Sequence, residues 1–330
     1  MKILVFGKDG QLGKAFQETF DLFSAALPAM PVMPVIQYIE RFNCDLADAE
    51  KLSRLLDQFQ PQLIINAAAY TAVDKAEMES DLAFAINARA PEIMAQYAAE
   101  HGATLLHYST DYVFDGEKYG YYLEDDIRNP LGVYGKSKAA GEEVIAQVFA
   151  TVKGNGQYAI FRTSWVYGEG GNFIRTILRL AKEREELKII HDQFGVPTSA
   201  QWLAKVSLNL AMDEQFFLRK FSSGIYHAVP AGETTWYGLA CLVVQSALDA
   251  GVTLKVNPSA IKPILAMEYP LPTPRPMNSR MSTDKLRLAL AKTPIDTSNS
   301  YNHVSDAFEF PAWEAMAREY VLKLARDKLI

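Results

Sequence analysis

Three residues set the chemistry open to this chain. Tyr134 and Lys138, in the run Tyr134-Gly135-Lys136-Ser137-Lys138, stand four apart, and Thr110 closes an earlier apolar run. Four residues make about one helical turn, so on a helix the phenol and the ammonium share a face. Tyr134 is the only tyrosine of the chain with a lysine at that spacing. A free tyrosine ionises at about pH 10, too weakly acidic to be an ideal proton donor at neutral pH. A neighbouring ammonium stabilises the phenolate and lowers that pKa, which suits proton supply to a carbonyl. The Thr110 hydroxyl beside the phenol would bond the same substrate oxygen. Its other reading is a strand-end hydroxyl bonded to local backbone. One such Tyr–Lys pair arises by chance in a chain of this composition, so its weight comes from its company.

That company is Gly7-Lys8-Asp9-Gly10-Gln11-Leu12-Gly13, set between a first apolar run and a first helical one. Glycine there permits a tight turn, close approach of backbone to a pyrophosphate, and packing of helix on sheet. The helix N-terminus then turns free N–H groups toward the anion. A merely structural turn is the competing reading. The spacing is GxxGxxG rather than GxGxxG, which fits one reductase superfamily better than dinucleotide folds at large. Asp45 and Leu46 follow a presumed third strand segment, where Asp45 either accepts from an adenine amino group or caps the next helix. Asn66-Ala67-Ala68-Ala69 ends a strand in small side chains, as a backbone lying along a cofactor requires, or as any tight strand end does. Glu40 and Arg41 close the second strand. An acid there favours a free ribose 2'-hydroxyl and a cation favours a 2'-phosphate, so NADH and NADPH both stay open.

The elements that position these groups alternate. Lys2–Phe6, Ile36–Ile39, Leu63–Asn66, Thr104–Ser109 and Tyr158–Ser164 read as strands. Helices are predicted over 11–20, 49–58, 80–100 and 131–149, and further on over 173–186 and 200–213. Residues 28–35 read as irregular. Such alternation predicts an α/β fold, a Rossmann-type doubly wound parallel sheet covered on both faces. After about residue 168 the loops turn polar and proline-rich, notably over 268–282. We therefore expect a dinucleotide-binding domain over 1–168, taking in 199–230, and a smaller, mainly C-terminal substrate-binding region over 169–198 and 231–330.

Composition narrows the partners. The 330 residues carry 33 basic and 39 acidic side chains, a net charge of −6, which argues against nucleic-acid binding. Two cysteines are too few for a disulfide framework or a zinc site. The histidines at 101, 107, 191, 227 and 303 lack metal-ligand spacing. The apolar stretch Leu22–Ile36 is broken by Pro28, Pro31 and Pro34, and the apolar run after Met1-Lys2 is short for a signal peptide. A cytoplasmic protein without membrane contact is expected.

Taken in order, FGKDGQLG (6–13), NAAAYTAVDKAE (66–77), HYSTDYVFDG (107–116), VYGKSKAAGE (133–142), FRTSWVYG (161–168), HDQFGVPT (191–198), GIYH (224–227) and RPMNSRMSTDKL (275–286) span nearly the whole chain. With them the chain resembles the extended short-chain dehydrogenase/reductases, and within that superfamily the dTDP-4-dehydrorhamnose reductases. The resemblance implies NADPH- or NADH-dependent reduction of the C4 ketone of a dTDP-6-deoxy-sugar, giving dTDP-L-rhamnose for cell-surface polysaccharide. It makes Tyr134 the proton donor, Lys138 its pKa tuner and ribose anchor, and Thr110 the residue that tunes the substrate hydrogen bond. Gly10, Gln11 and Leu12 would line the pyrophosphate, with Asp45 and Leu46 near the adenine. Ala69, Tyr70, Thr71 and Tyr108 match further cofactor-contacting positions, and Asp111 and Trp165 match substrate-facing ones. Mg²⁺ at a contact between two copies, and hence a homodimer, is implied by some members.

A sugar nucleotide also needs a second anion site, since the glycine loop serves the cofactor. Arg275 and Arg280 are the candidates, in a loop restricted by prolines 272, 274 and 276. Their other reading is an exposed basic loop. Two rival functions remain: another nucleotide-sugar ketoreductase, epimerase or dehydratase, and a non-catalytic nucleotide-binding regulatory subunit. The dehydratases that the chain resembles read Thr-Asp-Glu where this chain reads Thr110-Asp111-Tyr112, so the eliminating base is missing. The intact Thr110, Tyr134 and Lys138 argue against the regulatory subunit.

Overall fold

The computed structural model describes residues 1–26, 33–213, 215–291 and 308–330. Residues 28–32 of the irregular passage, and His303, lie outside the described residues. The first half runs β1 (Lys2–Phe6), α1 (Gln11–Ala26), β2 (Val35–Ile39), α2 (Ala49–Phe59), β3 (Leu63–Asn66), α3 (Val73–Ala76), α4 (Ser80–Phe84), α5 (Ala90–His101), β4 (Thr104–Thr110), α6 (Val133–Thr151) and β5 (Gln157–Thr163). The second half adds β6 (Val166–Tyr167), α7 (Phe173–Glu183), β7 (Leu187–Ile190), β8 (Phe194–Gly195), β9 (Thr198–Ser199), α8 (Ala200–Ala211), β10 (Gly224–His227), β11 (Thr234–Thr235), α9 (Trp236–Asp249), β12 (Ile261–Ile264), α10 (Asp284–Ala291) and α11 (Trp313–Arg326).

Six parallel strands form the central sheet in the order β2-β1-β3-β4-β5-β10. The chain leaves β2 on one side of β1 and returns as β3 on the other. That reversal opens a crevice past the carboxyl ends of β1 and β3, where doubly wound sheets bind their ligands. Strand residues alternate between two cores. Ile3, Val5 and Ile65 face Phe16 and Phe20 of α1 and Leu203 of α8, while Leu4, Phe6 and Ile64 face Leu52 of α2, Met94 of α5 and Ile145 of α6. A third core joins α7, α9 and α11 through Ile177, Leu178, Val243, Val244 and Val321.

Two expectations need correction. No third strand lies between β2 and Asp45: residues 41–43 turn, with Asn43 and Cys44 donating to the Glu40 carbonyl, and the third strand is Leu63–Asn66. The helix expected over 80–100 is broken by a π-helical turn at Ala85–Arg89. Asn87 causes it by turning inward, where its amide bonds the N–H and C=O of Tyr70 at 2.9 and 3.0 Å and the Ser137 hydroxyl at 3.0 Å. Pro91, which has no N–H to give, follows at once.

The far edge of the sheet buries charge. Arg162 of β5 donates to both Glu142 oxygens of α6, at 2.9 and 2.7 Å. Beside it, His227 of β10 has Nδ1 3.2 Å from the Ser282 carbonyl and Nε2 3.5 Å from Arg162. Burial first, then the guanidinium, hold its pKa down to about 3. Unfolded histidine takes a proton at about pH 6.5. The stability that this ring carries is therefore complete above that pH and is lost as pH falls toward 3, at about 1.4 kcal/mol per unit. Urea unfolding at pH 7 and pH 5 should show the loss, and His227→Gln should flatten the slope.

Candidate active site

Gly7 leaves β1 at φ 86°, and a Cβ on it would stand 2.8 Å from the Ala67 carbonyl group, so only glycine lets the loop pass this closely. Its carbonyl accepts from the Gly10 N–H at 3.0 Å, after which α1 begins at Gln11. The first N–H groups of α1 have no intrahelical partner and stand at the positive end of its dipole. Gly7, Gly10, Gln11 and Leu12 line a cleft of about 770 Å³. Gly13 does not line it. A Cβ there would sit 2.0 Å from the Gly7 oxygen, so its part is to let helix and turn close up.

Asp45, Leu46, Ala69, Tyr70, Thr71, Tyr108, Thr110, Asp111, Tyr134, Lys138 and Trp165 line the same cleft. Tyr108 does so with its ring packed between Phe16 and Phe161. Asp45 caps no helix: its carboxylate accepts from the Ala47 N–H and Arg41 Nε at 3.0 and 3.1 Å, and the Ala47 bond leads in holding its pKa down. The cap of α2 is Asp48. Glu40 and Arg41 both line the cleft, Glu40 standing 3.8 Å from Lys8.

Tyr134 is the second residue of α6 and Lys138 lies one turn on. The helix has glycine at its cap position, and Glu77 completes the start by accepting from the Val133 N–H at 2.8 Å. Thr110, at the end of β4, lines the cleft with Tyr134 and acts to lower the pKa of its phenol. Its own proton goes to Asp111 at 2.9 Å, and its oxygen accepts from the Tyr112 N–H at 3.2 Å. The local-backbone reading of Thr110 therefore holds. Lys138 is 1% exposed and meets His107 at 3.2 Å.

The electrostatics run opposite to the spacing argument. Burial pushes the Tyr134 phenol up to about 12, with the Asp111 charge adding and the Thr110 bond opposing. Burial pushes the Lys138 ammonium down to about 8. Desolvation dominates, so Tyr134 stands protonated, the state a proton donor needs.

Asp111 is pushed up to about 6 by burial. Both of its oxygens are engaged, one by Thr110 and the other by the Ser279 hydroxyl. It thus orients Thr110 and ties the loop 275–280 to the site. Trp165 adopts a left-handed backbone, φ 48°, and stacks on Trp236 at 3.6 Å. Arg275 and Arg280 stand apart from the lining. Arg275 donates to Asp74 at 2.9 Å, and Arg280 pairs with Glu233 at 3.3 Å between the rings of Tyr121 and Phe194. Glu77 and Trp236 carry no signal in the sequence and reach the site only through the fold. Among the described residues no group of three His, Cys, Asp or Glu side chains could hold a metal ion, and no helix is long and apolar enough to cross a membrane.

The family profile described as RmlD substrate binding domain matches residues 1–310. The dTDP-4-dehydrorhamnose reductase of Escherichia coli K12 is 42% identical over 291 residues, 87% of this chain and 91% of that protein. The chain belongs to the dTDP-4-dehydrorhamnose reductase family. Among solved structures, the reductase of this name from Clostridium acetobutylicum aligns with a TM-score of 0.78 at 31% identity, covering 98% of this chain and 99% of that one. The Bacillus anthracis reductase, solved in complex with NADP, aligns with a TM-score of 0.78 at 29% identity, covering 98% and 99% of the two chains. For this family member, the sheet and the crevice at its reversal point are those of a Rossmann-type reductase.

Proposed function

We infer that the chain reduces the C4 ketone of dTDP-4-dehydro-L-rhamnose to give dTDP-L-rhamnose for cell-surface polysaccharide. The observation that carries this is Thr110, Tyr134 and Lys138 meeting in one cleft with the glycine loop. The cradle fits a dinucleotide: Gly7 and Gly10 line it at the start of α1, whose first N–H groups have no intrahelical partner. A reduced nicotinamide supplies the hydride when bound. Gln11 and Leu12 offer N–H groups to its pyrophosphate, Asp45 and Leu46 stand at the adenine end, and Lys138 anchors the ribose. Ala69, Tyr70, Thr71 and Tyr108 give the wall along it. Tyr134, in the cleft with Thr110, gives its phenolic proton to the ketone oxygen, and Trp165 bounds the sugar. We divide the chain into a cofactor body, 1–168 with 199–230, and a substrate body, 169–198 with 231–330. A homodimer with Mg²⁺ at its contact, and a cytoplasmic location, rest on the resemblance alone. Mixing the chain with NADPH and dTDP-4-dehydro-L-rhamnose should bleach the reduced-cofactor absorbance, and no change would remove the reading.

Both cofactors should work, because Glu40 and Arg41 bring both signs of charge to the adenine end. The kcat/KM values for NADH and NADPH should lie within ~100-fold of one another, about 2.7 kcal/mol of discrimination. A larger ratio would take one of these charges out of the pocket.

The substrate pyrophosphate is assigned to Arg275 and Arg280. Each would exchange a carboxylate for phosphate, and Arg280 holds the longer and hence weaker ion pair. Replacing either by Ala should raise the KM for the dTDP-sugar at least several-fold, since charge-assisted bonds are worth ~1.5–3 kcal/mol, and leave NADPH affinity alone. Titration with dTDP and with NADPH separately checks both halves. Unchanged dTDP affinity in both variants moves the anion site elsewhere.

A further inference from the structure

Below the cleft floor lie two polar side chains that the reading above does not use. His107 of β4 and Asn66 of β3 are each 1% exposed and sit side by side in the parallel register. His107 Nε2 is 3.2 Å from Lys138 Nζ, and its Nδ1 is 3.0 Å from Asn66 Nδ2. Three buried polar groups from two strands and α6 thus form one line ending at the cleft.

Proton accounting fixes how that line is wired. An ammonium has three donors and no acceptor, and burying it without partners is costly. Glu142, one turn further along α6, is committed to Arg162 through both oxygens. Among the described residues, His107 Nε2 is therefore the acceptor that the protein offers Lys138. A ring nitrogen that accepts carries no proton, so in the neutral ring the proton is on Nδ1. Burial, then the Lys138 charge, keep the ring neutral. The Nδ1–H needs an acceptor in turn, and it meets an amide nitrogen, while Asn66 Oδ1 is buried with no partner. A half-turn of the Asn66 amide exchanges the two atoms, gives Nδ1–H its acceptor and pairs the orphaned oxygen. That arrangement gives the Lys138–His107 and His107–Asn66 contacts one donor and one acceptor each.

We propose that His107, held as its Nδ1–H tautomer by Asn66, is a positioning residue of the reaction that pins the Lys138 ammonium through Nε2. One N–H of the ammonium is then fixed below the floor and two remain for the cleft, where the ribose and the Tyr134 side of the site lie. The bland alternative is a histidine that fills core space. Core filling requires neither that tautomer nor the neighbouring amide.

The proposal rests on the assignment of Lys138 to the cofactor, and the test separates the two. The full chain labelled with ¹⁵N-histidine is read by long-range ¹⁵N–¹H correlation, with and without NADP⁺, and His107 is assigned by loss of its signals in His107→Gln. The expected result is a neutral ring protonated at Nδ1 in both states. Protonation at Nε2, or a ring that titrates at about pH 6.5 like a free histidine, overturns the proposal. The second arm is a cycle of His107→Leu and Lys138→Ala read as NADPH dissociation constants. His107→Leu should weaken NADPH about tenfold, the order expected when an outer partner of a site residue is removed. It should add nothing in the Lys138→Ala background, and His107→Gln, whose side-chain oxygen still accepts, should recover most of the affinity. Additive effects, or equal losses in Gln and Leu variants, would make His107 structural. Should His107→Leu fail to fold, the tautomer and His107→Gln decide. Unchanged NADPH affinity in Lys138→Ala alone would sink the assignment of Lys138 and leave the tautomer result standing.

Discussion

Tyr134→Phe is expected to bind NADPH as the native chain does and to lose turnover by ~10²–10⁴-fold, the usual contribution of a general acid. The ring is half-buried in the first turn of α6 and meets Tyr112 edge-on with centroids 5.6 Å apart, a contact that phenylalanine keeps. What goes is the hydroxyl, and with it the proton for the ketone oxygen. Water is a poor substitute in a site that raises the phenol to about 12 by excluding it. The variant needs two measurements, kcat with the dTDP-sugar and NADPH affinity by fluorescence titration. Near-native kcat would take Tyr134 out of the chemistry. A matching loss of NADPH affinity would mean that the ring is a cofactor contact first.

Lys138→Ala should fail differently, losing both turnover and cofactor affinity. A charge-assisted hydrogen bond is worth ~1.5–3 kcal/mol, so NADPH should bind ~10–150-fold more weakly. Turnover at saturating NADPH should fall as well, because the positive charge beside the phenol is gone. The ammonium is held well below its free pKa, at about 8, by burial. Raising the pH through that value should therefore reproduce part of the alanine phenotype in the native chain, as a progressive loss of NADPH affinity. Affinity that is flat between pH 7 and 9 would contradict the ribose role.

The sheet and the glycine loop were legible because their signals are local. Leu63–Asn66 and Lys2–Phe6 are short apolar runs with polar boundaries, and the structure gives them those bounds. The helix cap at Asp48 rather than Asp45 is a matter of one turn of phase, which composition leaves open. The break in the helix at residues 85–89 depends on Asn87 reaching Tyr70 and Ser137, partners that are distant in sequence. The sign of the Tyr134 shift depends on burial, and the four-residue spacing to Lys138 carries no information about that. Arg275 and Arg280 were singled out as free cations, yet Asp74 and Glu233 come to them from other parts of the chain. Asp111 lines the cleft, and its bond from Ser279 comes from a residue that is distant in sequence.

The central claim is that hydride and proton are delivered to the two ends of one C4 carbonyl, and a label follows the hydride directly. NADPH carrying deuterium at the transferable position of its nicotinamide is mixed with dTDP-4-dehydro-L-rhamnose and the chain, and the product is read by NMR. The predicted result is one deuterium on C4 of dTDP-L-rhamnose, formed in step with NADP⁺. Recovery of the sugar without deuterium and with NADPH unspent, or inverted at another carbon, would contradict a reductase and favour an epimerase or a binding subunit.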